Sequence, residues 1–429
     1  MIETIEQLID DFHERPLPMP VPRDSRAPQV EGKATAVVGM RRAGKTWFCY
    51  QRMEALLQKD VPKERLLYLN FEDERLLPFR AKDFASILDT YYRKFPEFKN
   101  ERCYLFLDEV QGIEGWDKFV RRVLDAEDLE VWVTGSSSKL LSAEIATSLR
   151  GRSLTTEIFP FSFREFLRFH NFDPGSTTRF GARARAELQS MAGRYLTQGG
   201  FPEVQSLDRE LSRQVLQGYV DVVLLRDVVE RHSIANTVAL RVMIRHLMTA
   251  PATRFSVNKF YNSLRSQGVS CTKNDLYEYL DHLRDAFLVY AVAIHSDSEA
   301  VRRVNPQKVY AVDTGLLSAM SIRATLDRGA LLENLAYMHL RRRAARIAYL
   351  ITSAGQEVDF VVDSSSRRGR ELIQVSWTLE RPDTRARELG ALSEAMRELR
   401  VRSGTVVTWL EEGREGRIRI VPTWKWLLE

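Results

Sequence analysis

The chain has 429 residues, 44% hydrophobic and 28% charged, enough for about two to four soluble globular domains. Its formal net charge of +5 permits contact with a polyanion without demanding one. No stretch stays apolar for the roughly eighteen residues that a membrane span needs, so an integral membrane protein with helical spans is excluded.

Residues 1–33 read as a lead-in segment. It opens MIETIEQLIDDFHER, which is acidic and lacks the apolar core of a secretory signal, so a cytoplasmic protein is the expectation. Alternating prolines over residues 15–23 forbid a helix and favour an extended strap. Cys49, Cys103 and Cys271 lie far apart, without metal-ligand spacing, and are expected as reduced thiols.

Residues 34–165 alternate short apolar runs with amphipathic stretches. Strands are expected at 34–38, 66–71, 104–107 and 131–134. Near-continuous apolar strands between helices predict an α/β fold with a parallel sheet covered on both faces. The first strand runs into Gly39-Met40-Arg41-Arg42-Ala43-Gly44-Lys45-Thr46, which fits the P-loop pattern GxxxxGK[ST]. Its glycines let backbone N–H groups curl around a β-phosphate. Lys45 would reach the β- and γ-phosphates of ATP, the Thr46 hydroxyl would bind Mg²⁺, and the helix N-terminus that follows favours the anion.

The third strand delivers Asp108 and Glu109 at its end. Asp108 is expected to hold Mg²⁺ and Glu109 to polarise the attacking water. The fourth strand ends in Gly135-Ser136-Ser137-Ser138, beside the acidic pair, where Ser136 or Ser137 could sense the γ-phosphate or help position the water. Arg150 and Arg152 follow, each a candidate arginine finger for a neighbouring subunit.

A helical connector is expected over 166–250, broken at Gly199-Gly200-Phe201-Pro202. Over 251–325, helices at 257–266 and 273–285, the second N-capped by Thr272, precede a strand pair at 287–292 and 308–312. That is the outline of a winged helix. The candidate recognition helix carries Asp275, Glu278 and Asp281, which would repel phosphates. His232, His246 and His282 are scattered in sequence and suggest no metal site. Residues 326–429 follow the order α-β-β-β-α-β. Arginines cluster at Arg341, Arg342, Arg343, Arg367, Arg368 and Arg370.

Taken together these segments resemble a family of prokaryotic AAA-type ATPases with a winged-helix region and a C-terminal nuclease-like domain. The resemblance is carried by Gly39–Thr46, residues 68–76 and Leu107–Gln111, then by Thr134–Ser138, Leu149–Arg152 and Phe161–Phe166. It continues through Gly199–Val204 and Val312–Leu316. It implies an ATP-hydrolysing domain and, by analogy with AAA-type ATPases, a homo-oligomer such as a hexamer.

The last unit also resembles the PD-(D/E)xK nuclease core, in which a helical Glu, a strand Asp and an E-x-K pair bind Mg²⁺ and activate water. Here Glu333 and Asp359 stand in the first two places, but the pair reads Gln374 and Ser376. A degenerate core that binds a nucleic-acid backbone through Arg367, Arg368, Arg370 or Arg385 is therefore expected, rather than a nuclease. Three functions follow as expectations: an ATP-driven motor or remodeller acting on DNA, a nucleotide-dependent switch for a protein partner, and an ATP-gated nuclease.

Overall fold

The computed structural model describes residues 1–136, 149, 151–175, 180–234, 236–321, 327–344, 346–363 and 369–429. They fall into two compact units, residues 1–159 with 285–287, and residues 160–284 with 288–429.

The first unit is built on five strands: β1 (Ala34–Val38), β2 (Leu66–Asn70), β3 (Cys103–Asp108), β4 (Leu129–Gly135) and β5 (Ser153–Glu157). All pair in parallel, in the order β2-β3-β4-β1-β5. β1 and β3 are buried along their whole length, because helices cover both faces. Phe48, Met53, Phe106 and Trp132 fill one core layer with Val37 and Ile158. β5 was not expected from sequence: it reads SLTTE, and only Thr156 of its five residues is buried.

The lead-in segment begins as helix α1 (Ile2–Glu14), whose Ile5 and Ile9 are fully buried. α2 (Lys45–Leu57), α3 (Ala85–Lys94) and α4 (Trp116–Ala126) complete the unit. α4 turns Phe119, Val120 and Val123 inward at helical spacing.

The second unit begins with four helices: α5 (Phe163–Phe169), α6 (Ala182–Gln198), α7 (Arg209–Val222) and α8 (Thr237–Thr249). α9 (Val257–Ser266) and α10 (Lys273–Asp285) follow. Thr272 does cap α10: its hydroxyl accepts the Asp275 N–H at 3.1 Å, and the Asp275 carboxylate accepts the Thr272 N–H at 2.8 Å. A small antiparallel sheet has the order β6 (Arg254–Phe255), β8 (Gln307–Ala311), β7 (Val289–Val292). Between β7 and β8 lies an unexpected helix, α11 (Glu299–Val304).

α12 (Thr314–Met320) starts at Asp313, which explains the glycine break. Asp313 accepts the Gly200 N–H at 2.7 Å and the Gly315 N–H at 2.8 Å. A six-stranded mixed sheet closes the chain. Its order is β13 (Gly413–Glu415), β14 (Ile418–Pro422), β12 (Gly404–Thr408), β11 (Arg370–Ser376), β10 (Glu357–Asp363), β9 (Arg346–Ile351). α13 (Arg328–Arg341), α14 (Pro382–Glu398) and α15 (Thr423–Trp426) accompany it. Leu389, Leu392 and Ala395 of α14 bury against Val358, Leu372, Val406 and Ile418 of the sheet. No helix among the described residues is long and apolar enough to cross a membrane.

Candidate nucleotide site

Parallel pairing brings the carboxyl ends of β1, β3 and β4 to one edge of the sheet, the position at which open α/β sheets bind ligands. β1 hands directly to the glycine loop. Gly39 has φ +146°, and a Cβ there would lie 2.1 Å from the Ile158 carbonyl oxygen, so no side chain fits. Gly44, with φ +101°, turns the chain into α2. Arg42 adopts a left-handed φ of +66° inside the loop.

Lys45 is only 4% exposed, and its ammonium lies 3.0 Å from the Glu109 carboxylate. Asp108 is a shared acceptor: Thr46 and Tyr68 each donate a hydroxyl to its Oδ2 at 2.8 Å, and Thr134 donates to Oδ1. Thr134 in turn accepts the Glu109 N–H at 2.9 Å. Glu109 sits at a left-handed φ of +53°, which swings its side chain back over the loop. Gln111 holds its other oxygen at 2.6 Å.

The two neighbouring acids are driven apart electrostatically. Burial pushes the Asp108 carboxyl up, against the pull of its hydroxyl donors, and the Glu109 charge adds to the rise. Burial also acts to raise Glu109, but the Lys45 ammonium, Gln111 and Arg41 outweigh it and hold Glu109 below its usual value. Burial, and then the Asp108 charge, keep the Tyr68 phenol protonated far above its ordinary range, fixing it as a donor.

The geometry therefore gathers Gly39–Thr46, Asp108, Glu109 and Ser136 at one edge, Ser136 being fully buried. Arg41 reaches Glu72 at 2.5 Å. Arg152 is paired with Asp125 of α4. Arg150, Ser137 and Ser138 lie outside the described residues. Sequence reasoning missed Tyr68 and Thr134, which gain meaning only once β2 and β4 flank β3. It also missed Arg23, the last residue of the proline strap. Arg23 is buried, donates to Ala43 O of the loop at 3.0 Å and to Phe159 O, and so braces the cradle from beneath.

Elsewhere the expected polar clusters read differently. His232 and His282 are not scattered: their rings stack, 3.6 Å between centroids and 13° between planes. Much of the arginine surface is already engaged. Arg342 donates to Pro160 O at 2.6 Å, and Arg343, Arg370 and Arg385 pair with Glu371, Asp363 and Glu415. Arg367 and Arg368 lie outside the described residues. Gln374 turns its carbonyl to the Asp359 N–H at 3.2 Å and its amide to Glu388 at 2.6 Å, while Ser376 donates to Thr378 O.

A parallel sheet with a glycine cradle and an acidic strand end at one edge defines a P-loop domain of the AAA type. Residues 31–167 match the family described as an AAA domain, and residues 191–327 match a domain of unknown function, DUF8612. The chain is 35% identical over 420 residues to the uncharacterized protein MJ1544 of Methanocaldococcus jannaschii, which covers 95% of this chain and 90% of that one. It is 30% identical over 348 residues to an uncharacterized protein of Haemophilus influenzae, covering 81% of this chain and 82% of the relative. The chain belongs to the family of AAA-domain proteins that contains these two.

Among solved structures it is similar to the Aeropyrum pernix ORC1 protein in complex with DNA. Identity there is 14%, with 78% of this chain and 91% of that chain covered and a TM-score of 0.29. Similarity to the Saccharomyces cerevisiae Hsp104-ADP complex is 15% identity over 57% of this chain and 45% of that one, with a TM-score of 0.28. At these scores the likeness says nothing about substrate or partner.

Proposed function

We propose that the chain is a Mg²⁺-dependent ATPase whose site is the cradle Gly39–Thr46 with Asp108 and Glu109. The observation that carries it is the convergence of Lys45, Thr46, Asp108 and Glu109 within hydrogen-bond distance at one sheet edge. The residues fit Mg²⁺–ATP: the glycine loop offers backbone N–H groups ahead of a helix N-terminus, and Thr46 and Asp108 offer hard oxygen ligands. Bound Mg²⁺ would neutralise charge on the β- and γ-phosphate oxygens. Lys45 would move from Glu109 to the phosphates. Glu109, freed and ionised, would orient and deprotonate the attacking water, with Ser136 at the γ-phosphate. Steady-state phosphate release with Mg²⁺, compared with EDTA, tests this directly; no release above the Lys45→Ala background overturns it.

The energy of that cycle is, in our reading, spent on DNA. The support is the α9–α10 pair followed by the β7–β8 hairpin, which has the outline of a winged helix, next to an α-β-β-β-α-β unit with the outline of a degenerate nuclease core. Turnover that rises with single-stranded, duplex or branched DNA, and a binding constant that falls steeply with salt, are expected. Turnover that stays flat across all three removes this reading.

A second reading is a nucleotide-dependent switch that binds a protein. It is favoured by the acids of α10: Asp275, whose carboxylate accepts the Thr272 N–H, stands with Glu278 and Asp281 on the helix that would have to approach phosphate. It expects DNA-independent turnover and different proteolysis patterns with ATP and ADP. A homo-oligomer, completed by Arg150 or Arg152 of a neighbouring copy, belongs to both readings and is tested by native mass with and without ATP.

A further inference from the structure

The second unit holds a cluster of charge, among its described residues, that uses no residue of the P-loop. Lys308, in the middle strand β8 of the small sheet, is 2% exposed. Its ammonium is 2.8 Å from Glu333 of α13, 2.6 Å from Glu357 and 2.9 Å from Asp359 of β10. The ammonium donates to Glu333 and Asp359 and is ion-paired with Glu357.

The surroundings fix the acids around that nitrogen. Tyr310, two residues along β8 and so on the same face, donates to the same Glu333 oxygen at 2.8 Å. Asp359 keeps its second oxygen on the Val375 N–H at 2.9 Å. Glu357 has its second oxygen 3.3 Å from Arg254. The three carboxylates thus point at one spot for reasons independent of any ligand. Without a cation there, the buried Asp359 and the partly buried Glu333 and Glu357 would face one another with their charges uncompensated, at a cost in stability.

Oxygen ligands converging on one point from a helix and a strand are the arrangement that takes a hard divalent ion. Here the point is taken by the chain's own nitrogen. No group of three or more His, Cys, Asp or Glu among the described residues is disposed to hold a metal ion. Burial works to discharge Lys308, but Asp359, Glu333 and Glu357 outweigh it and keep the ammonium charged well above its usual range. Burial and the Asp359 charge push Glu333 up.

We propose that the C-terminal unit contains a cation site whose resident cation is the Lys308 ammonium, and that removing this side chain opens Glu333, Glu357 and Asp359 to a divalent ion. The inference goes beyond the ATPase reading and uses no residue of the P-loop, so the two stand or fall separately. It gives a physical reason why the place resembling a nuclease centre need not hold metal. It also gives β8 a function: the strand carries the counter-ion that lets the acids of α13 and β10 stay close together.

The test is Mn²⁺ binding to the full chain without nucleotide, followed by calorimetry and by thermal shift, for the wild type, Lys308→Ala, Lys308→Met and Lys308→Ala/Asp359→Asn. The single variants are expected to gain one Mn²⁺ site that the wild type lacks, and to melt higher as Mn²⁺ is added. The double variant is expected to lose that site at least tenfold in affinity. Any ion bound at the P-loop acids would be common to all four proteins and cancels in the comparison. A folded Lys308 variant with no new site, a double variant that keeps the site at full affinity, or Lys308 variants that stay unfolded with and without Mn²⁺ would each overturn the proposal.

Discussion

The Lys45 ammonium is held 3.0 Å from the Glu109 carboxylate, so the two charges the proposed chemistry needs neutralise each other at rest. An arriving γ-phosphate competes for Lys45, and its success is what releases Glu109. Lys45→Ala removes the phosphate cation. A charged hydrogen bond is worth about 1.5–3 kcal/mol, or roughly ten- to a hundredfold in affinity. Titration of a fluorescent ATP analogue is expected to show that loss; unchanged affinity would place the nucleotide elsewhere.

Glu109→Gln keeps the shape and the Gln111 contact but removes the base. Nucleotide affinity is expected to hold, while turnover falls by about 10²–10⁴. The pH profile carries a second check. Lys45, Gln111 and Arg41 together keep Glu109 below its usual value despite burial, so it stays ionised throughout the neutral range. The kcat/KM profile, which reports the free protein, should therefore show no acid limb belonging to Glu109 between about pH 6 and 8. A limb there that vanishes in Glu109→Gln would mean its proton is lost much later than the ion pair implies.

Tyr68→Phe deletes one hydroxyl and nothing else. That hydroxyl donates to the same Asp108 oxygen as Thr46, at 2.8 Å. Removing a group that orients a metal ligand commonly costs about ten- to a hundredfold in metal affinity or activity. The Mg²⁺ concentration giving half-maximal turnover should rise, with the ATP analogue still bound. If the Mg²⁺ dependence is unmoved, Asp108 is oriented well enough by Thr134 and Thr46 alone.

Why Gly39–Thr46 and Asp108–Glu109 could be read from sequence, and Tyr68, Thr134, Arg23 and Lys308 could not, has a physical answer. A P-loop is local: its glycines, lysine and threonine are adjacent in the chain, and its form follows from backbone sterics. Asp108 and Glu109 end a run of apolar residues whose periodicity is equally local. Tyr68 and Thr134 acquire partners only through strand order, which periodicity does not determine. Arg23 and Ala43 are tied across twenty residues, and Lys308 and Asp359 across fifty-one. β5 escaped notice because an edge strand with one buried residue has little apolar signal. α1 differs: Ile2, Ile5, Leu8, Ile9 and Phe12 recur at helical spacing, a local signal that the reading of residues 1–33 as a lead-in segment leaves unused.

Gly199 and Gly268 offer a controlled comparison, because both have φ +76°. A Cβ on Gly268 meets nothing within 4 Å, whereas one on Gly199 would lie 1.9 Å from Asp313 Oδ1. Gly268→Ala should cost only the left-handed backbone penalty, about 1–2 kcal/mol. Gly199 has ψ −169°, a region open essentially only to glycine, so Gly199→Ala should cost at least that and also disturb the bonds Asp313 makes to Gly200 and Gly315, about 1–3 kcal/mol more. Thermal melts are expected to rank wild type above Gly268→Ala and Gly268→Ala above Gly199→Ala. Equal melting points for the two variants would show that the Asp313 junction yields without loss.

His339 of α13 gives the second unit a dependence on pH. Burial, with Arg343, Arg342 and Arg164 nearby, lowers its pKa from 6.5 to about 3, and its ring packs 4.5 Å from Trp426. The folded chain therefore holds His339 neutral, while the unfolded chain protonates it near its ordinary value. The stabilisation is complete above pH 6.5 and is lost progressively as the pH falls toward 3. At about pH 5 the loss amounts to roughly 2 kcal/mol, one and a half units at about 1.4 kcal/mol each. Buried carboxylates titrate too, so the informative quantity is the difference between the wild type and His339→Gln, each measured by denaturant unfolding at pH 7.5 and pH 5. The wild type is expected to lose about 2 kcal/mol more than the variant over that interval. An equal loss in both would show that the imidazole is hydrated and charges freely in the folded state, despite the guanidinium groups around it.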